Sequence, residues 1–464
     1  MKLVTLVVLP CVAVMGLGAC GVGSTITRKI SLPADWKNAA GFPVASPTRD
    51  LSRWWNKFGD PTLTRIISDA LGNSPDMASA AARIRESQAR RRAEAASLFP
   101  SLSGSASVGS SASRRDGLGT ASDTNYSAGL NASWEADLFG KRRSSLEAAA
   151  AQVGAAEENF NSVQAALAAE IAIAYTRLRV DEASLAVLRR TVKTREETYQ
   201  LANWRTESGE SDTLESSQAL ASLEQARAAI PALEQSTAQG RNFLARLAGR
   251  PPGSLDAILS SGKISIPNPP RSLAIGIPAD TLRQRPDVRV AGYQLLAAAA
   301  NTRAADAERF PSLSLSGSLG LDSLGSGKLF NPGSASAGII AGLTSPIFDA
   351  GRIRSNIDAG SAVEEQAFQS YRSSVLTALS EVEDSLIACR RTTERLALLE
   401  SATTAARVAA ELAQQRYEAG VTDILTVLDA QRSLLGLEDA LFTVRANRTI
   451  AYIQLYKALG GGWS

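Results

Sequence analysis

The pentapeptide Phe-Pro-Ser-Leu-Ser occurs twice in this chain, at residues 99–103 and 310–314, so that the copies stand 211 positions apart. A long-period repeat constrains a fold more than composition does, because whatever one copy builds the other must build beside it. The same offset aligns "SPDMASAAA" from Ser74 with "RPDVRVAGY" from Arg285, pairing Pro75 with Pro286 and Asp76 with Asp287. It also aligns "RTESGESDTL" from Arg205 with "RYEAGVTDIL" from Arg416, and "LARLAG" from Leu244 with "LYKALG" from Leu455. Only around Phe139 and Phe348 does the offset slip, to 209. One unit of roughly 190 residues is used twice.

The N-terminus stands outside that unit. One Lys, an apolar run too short to anchor permanently in a bilayer, and then small residues make residues 1–19 an export signal. Leu17-Gly18-Ala19-Cys20 resembles a bacterial lipoprotein box, in which the Cys becomes the lipidated first residue of the mature chain; the alternative is an ordinary signal with an incidental Cys. By the same resemblance, the lack of an Asp after Cys20 favours the outer membrane. Cys11 would leave with the signal and Cys20 would be acylated, which leaves Cys389 without an intrachain disulfide partner. Basic residues (49) nearly balance acidic ones (46), so charge gives no argument for a nucleic-acid partner. There is no His, which removes the commonest general base and metal ligand.

Proline is absent between Pro100 and Pro231 and again after Pro346, which permits long helices. Residues 141–205 and 352–416 are rich in Ala, Glu, Arg, Gln and Leu without a turn cluster. In the first, Val163, Leu167, Ile171, Ala174, Leu178, Leu185, Leu188 and Val192 recur at coiled-coil spacings, while Ala165, Ala168, Ala169 and Ala172 form a second face. Two faces need neighbours on both sides. At ~1.5 Å per residue each such helix is on the order of 100 Å long, which its shorter companions, 75–98 and 212–248, match only when stacked end to end. Pro75 and Pro286 suit the first helical position, with Ser74 a ready N-cap. Gly209 and Gly420 suit the residue after a helix, and Asp212 with Glu215 has the spacing of a capping box.

Beyond the other ends of the long helices the period changes to two. Tyr126, Ala128, Leu130, Ala132, Trp134, Ala136 and Leu138 alternate with polar or small residues, as do Leu313, Leu315 and Leu319, and then Ala335, Ala337, Ile339, Ala341, Leu343 and Ile347. Residues 101–113 are mostly small and polar and make the weakest of four strands. Apolar alternation against a polar second face is the pattern of membrane β-strands. Four strands cannot close a barrel, and lipid tolerates no open edge. Several chains must therefore share one barrel. Tyr126, Trp134 and Phe139 are candidates for interfacial aromatic belts, and Trp54 and Trp55 for packing where the N-terminal segment wraps the helices.

The segments "RWWNKFGDPTLTRII" from Arg53, "RPDV" from Arg285, "FPSLS", "RYEAGVTDILTVLDAQRSLL" from Arg416 and "LYKALGGGW" from Leu455, in that order, resemble the TolC-like outer-membrane factors of tripartite efflux systems, in particular the lipidated OprM-like (NodT-type) branch. The resemblance covers nearly all of the mature chain. It implies an α+β membrane protein with internal duplication: long coiled-coil-like helices forming a periplasmic α-barrel, and four strands per chain in a trimeric twelve-stranded transmembrane β-barrel. The expected layout is a lipidated segment 20–73, a first repeat 74–249 with a hairpin over 101–138, a linker 250–284, a second repeat 285–460 with a hairpin over 312–348 and a return helix over 421–459, and a tail 461–464. Gly292, where the family usually has Glu, and "TRAADAER" depart from the pattern.

Asp429 and Arg432 lie three apart on one helix face and, taken alone, are a solvated ion pair. Their place in the matched motif implies the family's periplasmic aperture gate, with Leu425 one turn earlier as an apolar ring. The two tips, Arg205, Gly209 and Asp212 in one half and Arg416, Tyr417, Gly420 and Asp423 in the other, have turn composition. The resemblance adds docking of a periplasmic adaptor protein coupled to an inner-membrane RND-type transporter. It implies no cofactor beyond the lipid on Cys20, and no catalysis. Other readings are the outlet of a type I protein secretion system and a structural coiled-coil surface lipoprotein; no phosphate-binding glycine loop or metal-ligand cluster supports an enzyme.

Overall fold

The computed structural model describes residues 30, 32–39, 51–115, 119–261, 264–270 and 278–462. Cys20 and the export signal lie outside the described residues. The chain divides into a unit ending at Leu32, of which only residues 30 and 32 are described, and a unit from Pro33 onward that holds every element below.

Proline and side-chain caps set where the first helices begin. α1 (Pro61–Asn73) starts on Asp60, whose carboxylate accepts from the Leu63 amide at 3.0 Å, and α2 (Pro75–Ala96) starts on Ser74, whose hydroxyl accepts from Asp76. β1 (Ser101–Arg115) and β2 (Gly119–Ala136) follow, then the long α3 (Lys141–Glu207), α4 (Thr213–Leu247) and the short α5 (Asp256–Ser261) and α6 (Pro278–Gln284). The second half repeats the order with α7 (Pro286–Asp306), β3 (Ser312–Ser323), β4 (Ala335–Thr344), α8 (Arg352–Glu418) and α9 (Ile424–Ala458). α3 and α8 each have 67 residues, and α4 and α9 each have 35. The duplication and the ~100 Å helices are thus both present. α4 continues through Pro231, which lies on its exposed side.

The strands form one antiparallel sheet in the order β1-β2-β3-β4. β1 is not the weak element its composition suggests. It pairs with β2 from Ser101↔Ser133 to Arg115↔Gly119, because backbone groups rather than side chains make the ladder. Helix order follows strand order. Over its first half α3 lies between α2 and α7, and over its second half between α4 and α9; α8 packs on α7 and then on α9. Consequently α2 and α4 occupy one flank and α8 the other.

The largest core sits midway along α3 and α8, where the N-terminal segment crosses them. Trp54 stacks on Tyr456 at 5.4 Å and meets Trp55 and Phe58 edge-on, and all four are buried. Ile66, Ile67, Leu167, Ile171, Leu178, Leu244, Val382 and Leu386 join the same cluster. Each fully buried aliphatic side chain contributes about 1.5–3 kcal/mol. The expected seam on α3 is in place, with Leu167, Ile171, Leu178 and Leu188 buried, and so is the second face, with Ala165, Ala168, Ala169 and Ala172 buried. No helix among the described residues is long and apolar enough to cross a membrane, a statement that says nothing of the sheet.

Candidate functional site

The sheet has two chemically opposite faces because its side chains alternate. Register places Leu102, Ala132, Gly317 and Ile339 in one row, and Leu130, Leu319 and Ala337 in the next. These residues line a shallow apolar surface left open in the single chain, with Leu102 71% and Ile339 84% exposed. The opposite face carries hydroxyls. Ser101 bonds Ser133 and Ser107 bonds Ser127, each at 2.8 Å, and the Asn131 amide reaches Ser105 at 3.5 Å. Ile340 is a large apolar side chain on that face.

Of the three expected aromatics, Tyr126 lies near the middle of β2, Trp134 near its end toward the helices, and Phe139 between β2 and α3. Tyr126 stands opposite Val108 and Ser323, while Trp134, near the helices, donates its indole N–H to the Leu98 carbonyl at 2.9 Å. Phe139 stacks on Phe310 at 4.8 Å, so the two halves meet there ring on ring. Just below, Asp137 accepts from the Arg142 and Arg143 amides at the start of α3. Burial alone would raise its pKa, but those amides and the Arg143 guanidinium outweigh it and hold the carboxyl below its ordinary value.

At the far ends of the helices the two tips are joined. Gly209 and Gly420 turn the chain with φ of 80° and 73°, the left-handed region open to Gly without strain. Tyr417 is fully buried; Arg205 lies over its ring at 5.0 Å and donates to its carbonyl, and the Tyr417 hydroxyl donates to Glu215 at 3.3 Å. Glu215 is thereby drawn away from α4. The expected capping box at Asp212 does not form, and the Asp212 side chain accepts from Thr213 instead. Asp423 does cap its helix, accepting from the Thr426 amide at 2.9 Å, and this bond together with the Thr426 hydroxyl lowers its pKa. Arg416 is exposed.

One to two turns into α9, Asp429 and Arg432 pair at 3.0 Å with both side chains about 70% exposed, and Leu425 is half exposed. Between them Gln431 points the other way and is buried, donating to Thr198 of α3 at 3.3 Å. Arg195, buried on α3 and bonded to the Ser222 carbonyl, has its pKa lowered by burial and by the nearby Arg432 charge.

A second polar cluster escaped sequence reasoning. Arg179, fully buried, donates to Glu182 at 2.5 Å and to the Leu259 carbonyl, and lies over the Tyr175 ring; Tyr175 donates to Asp60, and Arg241 of α4 donates to Glu182. In sequence these are charges on a helix with nothing to mark them as buried. Arg285 of the "RPDV" segment is similar, holding Asp287, Glu381 and the Ala458 carbonyl together.

A sheet with an open apolar face and a hydroxyl face, carried on helical hairpins about 100 Å long, is a wall segment of a membrane-spanning duct with a long aqueous extension. The chain belongs to the outer membrane efflux protein family, whose model matches residues 66–250 and again 277–461. Among curated proteins it is 34% identical over 471 residues to the solvent efflux pump outer membrane protein SrpC of Pseudomonas putida, covering 98% of each chain. To the pyoverdine export outer membrane protein OpmQ of Pseudomonas aeruginosa it is 33% identical over 459 residues, covering 96% of this chain and 95% of the other. The solved structure of the outer-membrane channel OprN superposes with a TM-score of 0.85 at 30% identity, covering 94% of this chain and 98% of that one. This is an outer-membrane efflux channel with a large periplasmic portion. Such channels are homotrimers that work with an adaptor and an inner-membrane transporter. The four strands are accordingly one third of the barrel.

Proposed function

We propose that the chain forms the passive exit duct of a tripartite pump for small molecules such as drugs or toxic compounds, and itself performs no catalysis. The observation that carries this reading is the hydroxyl face of the sheet: a row of Ser and Asn side chains satisfied by one another offers solutes water and weak contacts instead of a tight site. The names of the relatives, solvent efflux and pyoverdine export, support a small-molecule cargo. Cys20 carries the lipid, and no other cofactor is needed.

Within the duct, Leu425, Asp429 and Arg432 form the aperture gate. Three copies bring three such exposed pairs to the free ends of the helices, where charges of neighbouring copies can link. Support comes from the exposure of this pair on a helix whose other face is held by Gln431. The tips around Gly209 and Gly420 receive the adaptor, and the Arg205–Tyr417–Glu215 contacts give it one joined surface in each copy.

The test is single-channel conductance in a planar bilayer, wild type beside Asp429→Ala. A small wild-type conductance that rises several-fold in the variant is expected. A stable pore that the substitution leaves unchanged places the constriction elsewhere, and a verified trimer with no pore overturns the duct.

A further inference from the structure

The flanks of the chain carry the pattern of a contact made inside it. Within the chain, α7 lies against α3, and Arg303 of α7 pairs with Glu147 of α3 at 2.5 Å. The 211-residue offset converts α7 into α2 and α3 into α8, both with matching ends. It converts Arg303 into Arg92 and Glu147 into Asp358. This pair keeps its charges under the shift, whereas the neighbouring pair Arg289–Glu158 loses them, becoming Ala78 and Gln369. Arg92 and Asp358 are both exposed, on opposite flanks, and neither has a partner among the described residues.

We infer that Arg92 of one copy pairs with Asp358 of the next, so that the joint between copies repeats the α7–α3 joint within a copy. The occupant of each flank is a second copy of this chain, and the inference rests on the ring of copies described above. Three observations argue for it. Helix order and strand order both end on α8 and β4 at one flank and begin on α2 and β1 at the other, so closing the barrel sets these flanks together. The helices would run antiparallel, as α7 and α3 do, and in the same register Arg85, one heptad below Arg92, stands opposite Glu365. Further down, the offset converts Leu201, which packs against the cluster of Tyr417, Ile424 and Leu428, into Leu412, which is 52% exposed on α8. The α4 helix of the next copy, equivalent to α9, is the element that covers it.

The experiment uses full-length protein in detergent, in a Cys389→Ser background, with Arg92→Cys and Asp358→Cys introduced together and a short bismaleimide added. Covalent dimers and trimers on a denaturing gel are expected. The equivalent pair Arg303→Cys with Glu147→Cys must close within one chain and leave it at monomer size. Only single chains from the first pair, in a preparation that light scattering measures as trimer, would overturn the pairing while leaving the ring. Wild-type protein that scatters as single chains would overturn the ring and the pairing with it. As a second readout, Arg92→Glu weakens association by roughly two- to five-fold at each joint, and Arg92→Glu with Asp358→Arg restores it. A double variant no better than the single one would also overturn the pairing.

Discussion

Glu182→Gln isolates the energetics of the mid-helix cluster. The Glu182 carboxylate accepts Arg179 at 2.5 Å and Arg241 at 2.8 Å, and the Arg179 side chain has no exposure. Burial works against the Arg179 cation, but the Tyr175 and Glu182 oxygens more than offset it and raise its pKa. Gln keeps the shape but removes the charge, and its NH2 must face one of the two guanidiniums, donor against donor. Breaking a buried pair in this way costs about 3–5 kcal/mol. Two features reduce that figure: Arg241 is 31% exposed with Asp256 3.9 Å away, and Arg179 keeps the Leu259 carbonyl and the Tyr175 ring. A loss of about 2–3 kcal/mol remains, which for a chain of this size lowers the thermal midpoint by roughly 2–3 °C. The assay is the loss of helical circular dichroism on heating the detergent-solubilised channel. If the cost is an orphaned buried cation, Arg179→Met together with Glu182→Gln must be less damaging than Glu182→Gln alone. A single variant within about 1 °C of wild type, or a double variant worse than the single, would refute the reasoning.

Two further predictions follow from the packing. A Cβ on Gly154 of α3 would lie 2.7 Å from the Tyr293 ring of α7, so Gly154→Ala is expected to cost about 1–3 kcal/mol in the same melt, and Tyr293→Ala in the same chain to recover part of it. Burial pushes the Cys389 thiol up to about 12, so it stays neutral in the folded chain and maleimide at neutral pH labels it only after unfolding. Because its folded pKa is raised, the stability it contributes is complete below the unfolded value of about 8.5 and is lost as pH rises through 12; Cys389→Ala is expected to flatten that alkaline loss.

What the sequence disclosed was whatever depends on period and backbone. The seam from Leu167 to Leu188, the second Ala face, the alternation along β2 and the starts at Pro75 and Pro286 are each written locally, and the structure has them. What it concealed depends on a partner distant in the chain. Nothing local marks Arg179 and Glu182, because their partners, Arg241 and the Leu259 carbonyl, come from distant parts of the chain. Glu215 has capping spacing, yet Tyr417, 202 positions away, claims it. β1 looked weak because Ser and Gly carry no alternation, whereas its ladder needs only the extended backbone of β2. The i, i+3 spacing of Asp429 and Arg432 predicts a solvated ion pair, and the pair forms with both side chains exposed.

The unequal length of the two hairpins has its own consequence. β3 pairs with β2 only as far as Ser323↔Tyr126, so residues 119–125 of β2 continue with β1 as a two-stranded ribbon about 23 Å long at ~3.3 Å per residue. With three copies, three such ribbons rise beyond the wall at the end away from the helices, which is the cell's outer face. Among the described residues, residues 119–125 of β2 pair with β1 and with no other strand. A change in the length of these ribbons would therefore alter what stands at the mouth of the duct while the strand pairing of the wall below stays the same.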